Sequence, residues 1–133
     1  MKTFESNKIL IKRPAKEIFD FLSDFRNFEK LMPEEITNWR ADESSCSFTI
    51  KNMADLNMAF GERQANEKIT MISRGKNPFV YDLNVFMDEN GEGTQTQIVF
   101  NADLNPMLSM MVSNPLKNFI NILNEKLKEV MEQ

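Results

Sequence analysis

Hydrophobic residues are spaced in two ways along this chain, with helical spacing near its two ends and strand-like alternation between them. From Asn114 to Met131 large apolar residues recur at three- and four-residue steps and share an arc of about 120° on a helix. Asn114 can cap such a helix, and Pro115 suits its first turn, where a missing N–H costs no hydrogen bond. The pattern predicts a long amphipathic C-terminal helix. Its apolar arc contains Leu116, Phe119, Ile120, Leu123, Leu127, Val130 and Met131.

The first third of the chain predicts one strand followed by two short helices. The segment Phe4 to Lys12 is rich in residues that favour extended backbone, and a turn containing proline follows it. Apolar residues from Ala15 to Phe25 then recur at helical spacing. A second helix, which Ser23 or Asp24 can cap, is expected to end at Pro33.

Between Ile36 and Leu104 five or six segments alternate apolar and polar residues, which is typical of strands with one buried face. Gly75 to Pro78 has the composition of a turn. Asn90-Gly91 is the signature of a tight hairpin between two strands. This region therefore predicts an antiparallel sheet.

Composition limits the class of protein. With 133 residues, 27% of them charged and 41% hydrophobic, the chain suits a single globular domain over residues 1–133. Its apolar runs are too short to span a membrane, and charged residues interrupt its first twelve positions, so no stable membrane insertion and no secretory signal are expected. These features predict a cytoplasmic protein.

Charge and residue usage exclude several kinds of chemistry. The net charge is −4, with 16 basic against 20 acidic residues and no extended basic cluster, so nucleic acid is not expected as a partner. The chain has no histidine and one cysteine, Cys46. Metal catalysis and nucleophile–histidine triads are therefore not expected, and no cofactor is predicted. Cys46 shares the parity of Phe48 and Ile50 and is expected to be a buried, inert thiol.

Two segments resemble a known superfamily. The segment from Ile11 to Asp24 is similar to the opening of START-like (SRPBCC) domains, which is a strand, a proline-containing turn and a helix reading "vfdfl-D". The segment from Asn27 to Pro33 resembles their second helix. The resemblance covers the whole order of elements and implies an α+β helix-grip fold. In that fold a curved antiparallel sheet of about seven strands wraps around a long C-terminal helix, with two short helices after the first strand.

The resemblance also implies an elongated cavity between sheet and helix, which members of the superfamily use for sterols, lipids, hormones, quinones or polyketides. If the alternating apolar sets face this cavity, its wall contains a defined set of side chains, and plain core packing is the alternative interpretation. The set consists of Phe48, Met58, Phe60, Met71, Leu83, Val85, Ile98 and Phe100 on the sheet, facing Phe119, Ile120 and Leu123 on the helix.

Polar residues that could share the inward faces are Glu62, Gln64, Ser73, Tyr81 and Thr96, and of these Glu62 and Tyr81 are candidate partners for a ligand in such a cavity. Glu62 follows Met58 and Phe60 at two-residue steps, so an unbroken strand would aim its carboxylate inward as a polar anchor or an acid of raised pKa. The alternative is a strand end at which Glu62 is simply solvated. Tyr81 begins the strand with the dominant apolar face and can offer a hydroxyl.

The leading hypothesis is binding or transport of a small hydrophobic ligand, such as a lipid, a quinone or a polyketide-like aromatic molecule. An alternative is a polyketide cyclase or aromatase in which Tyr81 or Glu62 assists proton transfer, and this would need at least two ionisable groups converging in the cavity. A third hypothesis is a protein-interaction module that uses an exposed sheet surface or the methionine-rich segment from Met107 to Val112. Burial of that segment beneath neighbouring loops is expected, and its use as a lid or partner surface is the alternative.

Overall fold

The sheet and the last helix dominate the structure, a computed structural model that describes residues 1–51 and 53–133. The strands are β1 (Lys2–Glu5), β2 (Ile9–Ile11), β3 (Ile36–Ala41), β4 (Ser45–Ile50), β5 (Ala54–Gln64), β6 (Lys68–Ser73), β7 (Tyr81–Asn90) and β8 (Gly93–Ala102). The helices are α1 (Ala15–Leu22), a 3₁₀ helix (Phe25–Leu31) and α2 (Pro106–Met131). This order confirms the α+β prediction of an antiparallel sheet with a long C-terminal helix.

In the part of the chain that the structure describes, the sheet has eight strands because the predicted first strand is divided in two. The strand order is β1-β8-β7-β6-β5-β4-β3, and β2 also pairs with β8. At the division, the Ser6 hydroxyl accepts the Ile98 N–H at 2.8 Å, in place of a backbone carbonyl. The register moves by one residue between the pairs Glu5↔Val99 and Ile9↔Thr96.

The two short helices occur where the pattern predicts them, and the second is a 3₁₀ helix. Its buried residues Phe25, Phe28 and Leu31 are spaced by three, which matches the three-residue turn of that helix type. Asp24 provides the cap, because its carboxylate accepts the N–H of Arg26 at 2.9 Å. The hydroxyl of Ser23 instead donates to a carbonyl of α1.

The helix α2 is longer than predicted, and the expected start at Asn114 is wrong. Asn105 is the N-cap, its side chain accepts the Leu108 N–H at 2.9 Å, and Pro106 opens the first turn. Pro115 lies inside the helix. A proline removes one intrahelical hydrogen bond, and here the burial of Val112 and Leu116 on either side of Pro115 stabilises the helix against that loss. The apolar arc is buried as predicted, except that Val130 and Met131 are only partly covered.

The methionine-rich segment forms the first turns of α2 instead of a bridge beneath loops. Met107, Met110 and Met111 have 72%, 87% and 61% of their surface exposed, so the expected burial of this segment is wrong for these three residues. In the part of α2 that precedes Pro115, Val112 is the one buried residue among those that the structure describes. The core therefore holds the second half of α2 much more firmly than the first.

The hairpin predicted at Asn90-Gly91 joins β7 to β8 through a two-residue loop, with Asn90 paired to Gly93. Gly93 has a φ of +147°, and a Cβ there would collide with the carbonyl oxygen of Ile11. Glycine is thus required where β2 approaches the hairpin. None of the helices in the described ranges is long and apolar enough to cross a membrane.

Candidate functional site

The predicted cavity wall is largely packed against protein. Phe48, Met58, Met71, Leu83, Val85, Ile98, Phe100, Phe119, Ile120 and Leu123 are all buried members of the hydrophobic core. Aromatic rings fill the space between the layers: Tyr81 stacks on Phe100 with centroids 5.1 Å apart, and Phe48 on Phe119 at 5.8 Å. These contacts are those of core packing, the alternative interpretation of the sequence pattern.

Glu62 departs from the predicted wall because β5 is irregular between Phe60 and Arg63, whereas Phe60 stays in register with Met71 and packs against the core. Such a bulge changes which side chains face inward. Phe60 is half-buried and stacks on Phe25 at 4.2 Å, and the Arg63 guanidinium covers its ring at 4.5 Å. Glu62 is exposed and accepts a hydrogen bond from the Gln64 amide. An inward orientation of Glu62 is therefore wrong, and the alternative of a solvated carboxylate is confirmed.

Tyr81 is buried, and its polar atoms bond to protein. Its hydroxyl donates to the carbonyl of Asn57 at 2.9 Å, and its backbone N–H donates to the Ser73 hydroxyl at 3.1 Å. Burial, with a smaller contribution from Cys46, raises the pKa of the Tyr81 hydroxyl. This tyrosine fixes the start of β7 against β5 and keeps its proton.

An open pocket occurs at the edge of the interface, where α2 passes the ends of β3 and β4. We call it the helix-edge pocket. Its volume is about 340 Å³. It is lined by Pro33, Glu35, Ile36, Ile50, Lys51, Asn114, Pro115, Asn118, Phe119 and Ile122. Apolar groups form most of its surface, and charged and amide side chains stand among them.

Backbone hydrogen bonds fix the sheet side of the pocket at the start of β3 and the end of β4. Ile36 pairs with Ile50 across β3 and β4, and the Lys51 N–H donates to the Glu35 carbonyl at 2.9 Å. Pro33 is buried at the turn before β3, and its carbonyl accepts the Ile36 N–H at 3.0 Å. Since β3 is the outermost strand at this end of the sheet, no further strand from residues 1–51 or 53–133 covers its free edge.

Phe119 is the one predicted site residue that lines the helix-edge pocket. The others are buried in the core, except Phe60, which is half-buried, and Glu62, which is exposed. Alternation along strands could not find this pocket, because several of its residues lie in turns and at an edge. Ile122 could have indicated the pocket from the sequence, because it is a large apolar residue that lies outside the apolar arc of the last helix.

Charged and amide side chains supply the polar part of the pocket lining. Glu35 and Lys51 contribute one charge of each sign, and Asn114 and Asn118 contribute amide donors and acceptors. Within residues 1–51 and 53–133, no group of three acidic, cysteine or histidine side chains is placed to hold a metal ion.

Comparison with solved structures shows the fold directly. A START superfamily protein from Mycobacterium smegmatis superposes with a TM-score of 0.69 at 16% identity, covering 98% of this chain and 97% of that one. The KanY protein superposes with a TM-score of 0.79 at 12% identity over 100% of both chains. A protein from Thermus thermophilus gives a TM-score of 0.72 at 14% identity, covering 98% and 97%. Family models and curated proteins gave no match. The chain therefore has the START-like, helix-grip fold.

Proposed function

We propose that this protein binds a small, mainly apolar molecule in the helix-edge pocket. The observation that supports the proposal is a pocket of about 340 Å³ with an apolar lining and a few polar side chains, open between the sheet and the C-terminal helix. This volume lies within the range of small-molecule sites, of roughly 300–1,000 Å³. The START-like fold supports ligand binding in general.

The lining suggests which features a ligand needs. Ile36, Ile50, Phe119 and Ile122 offer apolar contact, and each 100 Å² of ligand surface that they remove from water contributes about 2.5 kcal/mol. A single polar group on the ligand can reach the Asn118 amide. Lipid-like, quinone-like and compact aromatic molecules all have this combination.

The cyclase alternative receives less support from the same geometry. A cyclase would need two ionisable groups in one cavity, and its two candidates have different surroundings. Tyr81 is buried with its hydroxyl bonded to Asn57, whereas Glu62 is exposed on β5. Neither lines the helix-edge pocket. Binding without chemistry is therefore the function that we infer.

A direct test is titration of the purified protein with Nile red, a neutral dye whose fluorescence rises in apolar surroundings. We expect saturable binding to the wild-type chain and its loss in Ile122→Trp, because an indole would fill the pocket. Ile122 is only partly buried, so this change spares the core. Glu129→Trp, at an exposed position on the same helix, is the matched control and should bind the dye normally.

Equal dye affinity in Ile122→Trp and the wild type would refute the proposal. Mass spectrometry of the protein under native conditions, followed by organic extraction, then addresses the class of natural ligand. A co-purifying apolar molecule that is retained by Glu129→Trp and lost from Ile122→Trp would assign it to this pocket.

A further inference from the structure

A second groove lies on the outer face of the sheet. The side chains of β4 and β5 that alternate with the buried Phe48 and Met58 point away from α2, and Ser47 and Asn57 are among them. Arg40 pairs with Ser47, Ser47 pairs with Asn57, and the Arg74 N–H donates to the Asn57 carbonyl at 3.1 Å. These four residues form a row with an arginine at each end.

The row forms a groove that long side chains can close from both sides. Neighbouring strands are about 4.8 Å apart, so the two arginine backbones are separated by roughly 14 Å. Ser47 and Asn57 have short side chains and leave the middle open. The resulting outer groove, lined also by Asp42 and Ser45, has a volume of about 440 Å³.

The arginines of the outer groove are unlike the other three of the chain. Arg13 and Arg26 are within ion-pair distance of carboxylates, and Arg63 covers the Phe60 ring and donates to a backbone carbonyl. Among residues 1–51 and 53–133, the guanidinium groups of Arg40 and Arg74 have neither an ion-pair partner nor a hydrogen bond. Two unpartnered cations thus face the same groove.

One carboxylate also lines the outer groove, but its surroundings limit its effect. Asp42 Oδ1 accepts hydrogen bonds from the backbone N–H groups of Ser44 and Ser45, each at 2.9 Å, and from both hydroxyls. These bonds lower the pKa of Asp42 and keep it ionised. The groove retains a net positive charge from its two arginines.

We propose that the outer groove binds a phosphate group, either as inorganic phosphate or as a monoester of a small molecule. A phosphate presents several oxygens in different directions, so one group can accept from guanidinium forks on two sides and from the Ser47 hydroxyl between them. A carboxylate has two oxygens on one edge and can fully occupy only one fork. This site lies on the face of the sheet opposite α2, and the inference does not depend on the helix-edge pocket.

The test follows the side-chain Nε–H signals of the arginines by NMR while inorganic phosphate is added at constant ionic strength. We expect the signals of Arg40 and Arg74 to shift together and to saturate, and acetate to produce no such response. Arg40→Gln and Arg74→Gln should each weaken phosphate binding at least about tenfold, since each removes charge-assisted hydrogen bonds. Arg63→Gln is the matched control and should leave the affinity unchanged.

All three arginines are exposed, so the variants should keep the wild-type backbone amide spectrum. A shift that grows linearly without saturation, or equal affinity in all variants, would overturn the proposal. Acetate binding as tightly as phosphate would also overturn it. Phenyl phosphate distinguishes the two sources of the group: tighter binding than inorganic phosphate identifies an ester, and equal binding identifies the free anion.

Discussion

Replacing Asn124 with alanine should destabilise the protein more than any other asparagine change in α2. The side chain of Asn124 is fully buried among β8 and the junction of β1 and β2. Its Oδ1 accepts the Thr96 hydroxyl at 2.8 Å, and its Nδ2 donates to the carbonyls of Asn7 at 3.0 Å and Thr96 at 3.1 Å. These bonds connect the helix to β8 and to the junction of β1 and β2.

The expected loss follows from counting those bonds. Three hydrogen bonds at about 1 kcal/mol each amount to about 3 kcal/mol. Alanine is the better helix former by about 0.6 kcal/mol, which leaves a net loss of about 2.5 kcal/mol. Against a total stability of about 5–15 kcal/mol, this is a large effect and should be clear in urea unfolding followed by circular dichroism.

Two other asparagines on the same helix supply graded controls. Asn121 is half-buried and accepts one hydrogen bond, from the Asn7 N–H at 2.9 Å, so its replacement by alanine should cost about 0.4 kcal/mol net. Asn118 is exposed, and the described residues give it no hydrogen bond, so alanine there should stabilise by about 0.6 kcal/mol. A loss in Asn124→Ala no greater than that in Asn121→Ala would refute this account of the buried network.

Two further predictions concern the hairpin and the thiol. Gly93→Ala should lower the free energy of unfolding by more than about 2 kcal/mol, because Gly93 has a positive φ and a Cβ there would collide with the carbonyl of Ile11 in β2. Gly91→Ala, where a Cβ meets nothing, should change the free energy of unfolding by less than about 0.5 kcal/mol. Equal effects in urea unfolding would contradict this. Burial, followed by the Asp42 charge, raises the pKa of the Cys46 thiol, so it should stay unreacted with Ellman's reagent in the native protein and react at once in urea. Rapid reaction of the native protein would show that the thiol is accessible.

The spacing of apolar residues predicted the sheet and the last helix well, because burying one face of each element requires that spacing. The alternation in β7 and β8 and the apolar arc of α2 each persist over several turns or pairs, so one unusual residue does not obscure them. Local exceptions were harder to predict. Asn114 and Pro115 have the sequence context of a helix start, but Asn105 and Pro106 offer the same context nine residues earlier. Only the structure shows which pair is used.

The candidate site was less predictable than the fold for a physical reason. Apolar alternation identifies side chains that leave water, and it does not distinguish those that meet protein from those that leave a space. Phe119 has contacts of both kinds, since it stacks on Phe48 and also lines the helix-edge pocket. The bulge after Phe60 shows the same limit on a smaller scale, because one extra residue moved Glu62 from a predicted interior position to the surface.

The strand order has a consequence for how the chain comes together during synthesis. The meander from β3 to β8 pairs each strand with the next along the chain, so these contacts can form as the residues emerge. The strands β1 and β2 emerge first, yet they pair with β8. Lys2 is paired with Ala102, about a hundred residues later in the chain. Phe4 and Ile11 must therefore remain without their native cover until almost the whole sheet has been made, and closing that loop is an entropic cost paid late in folding.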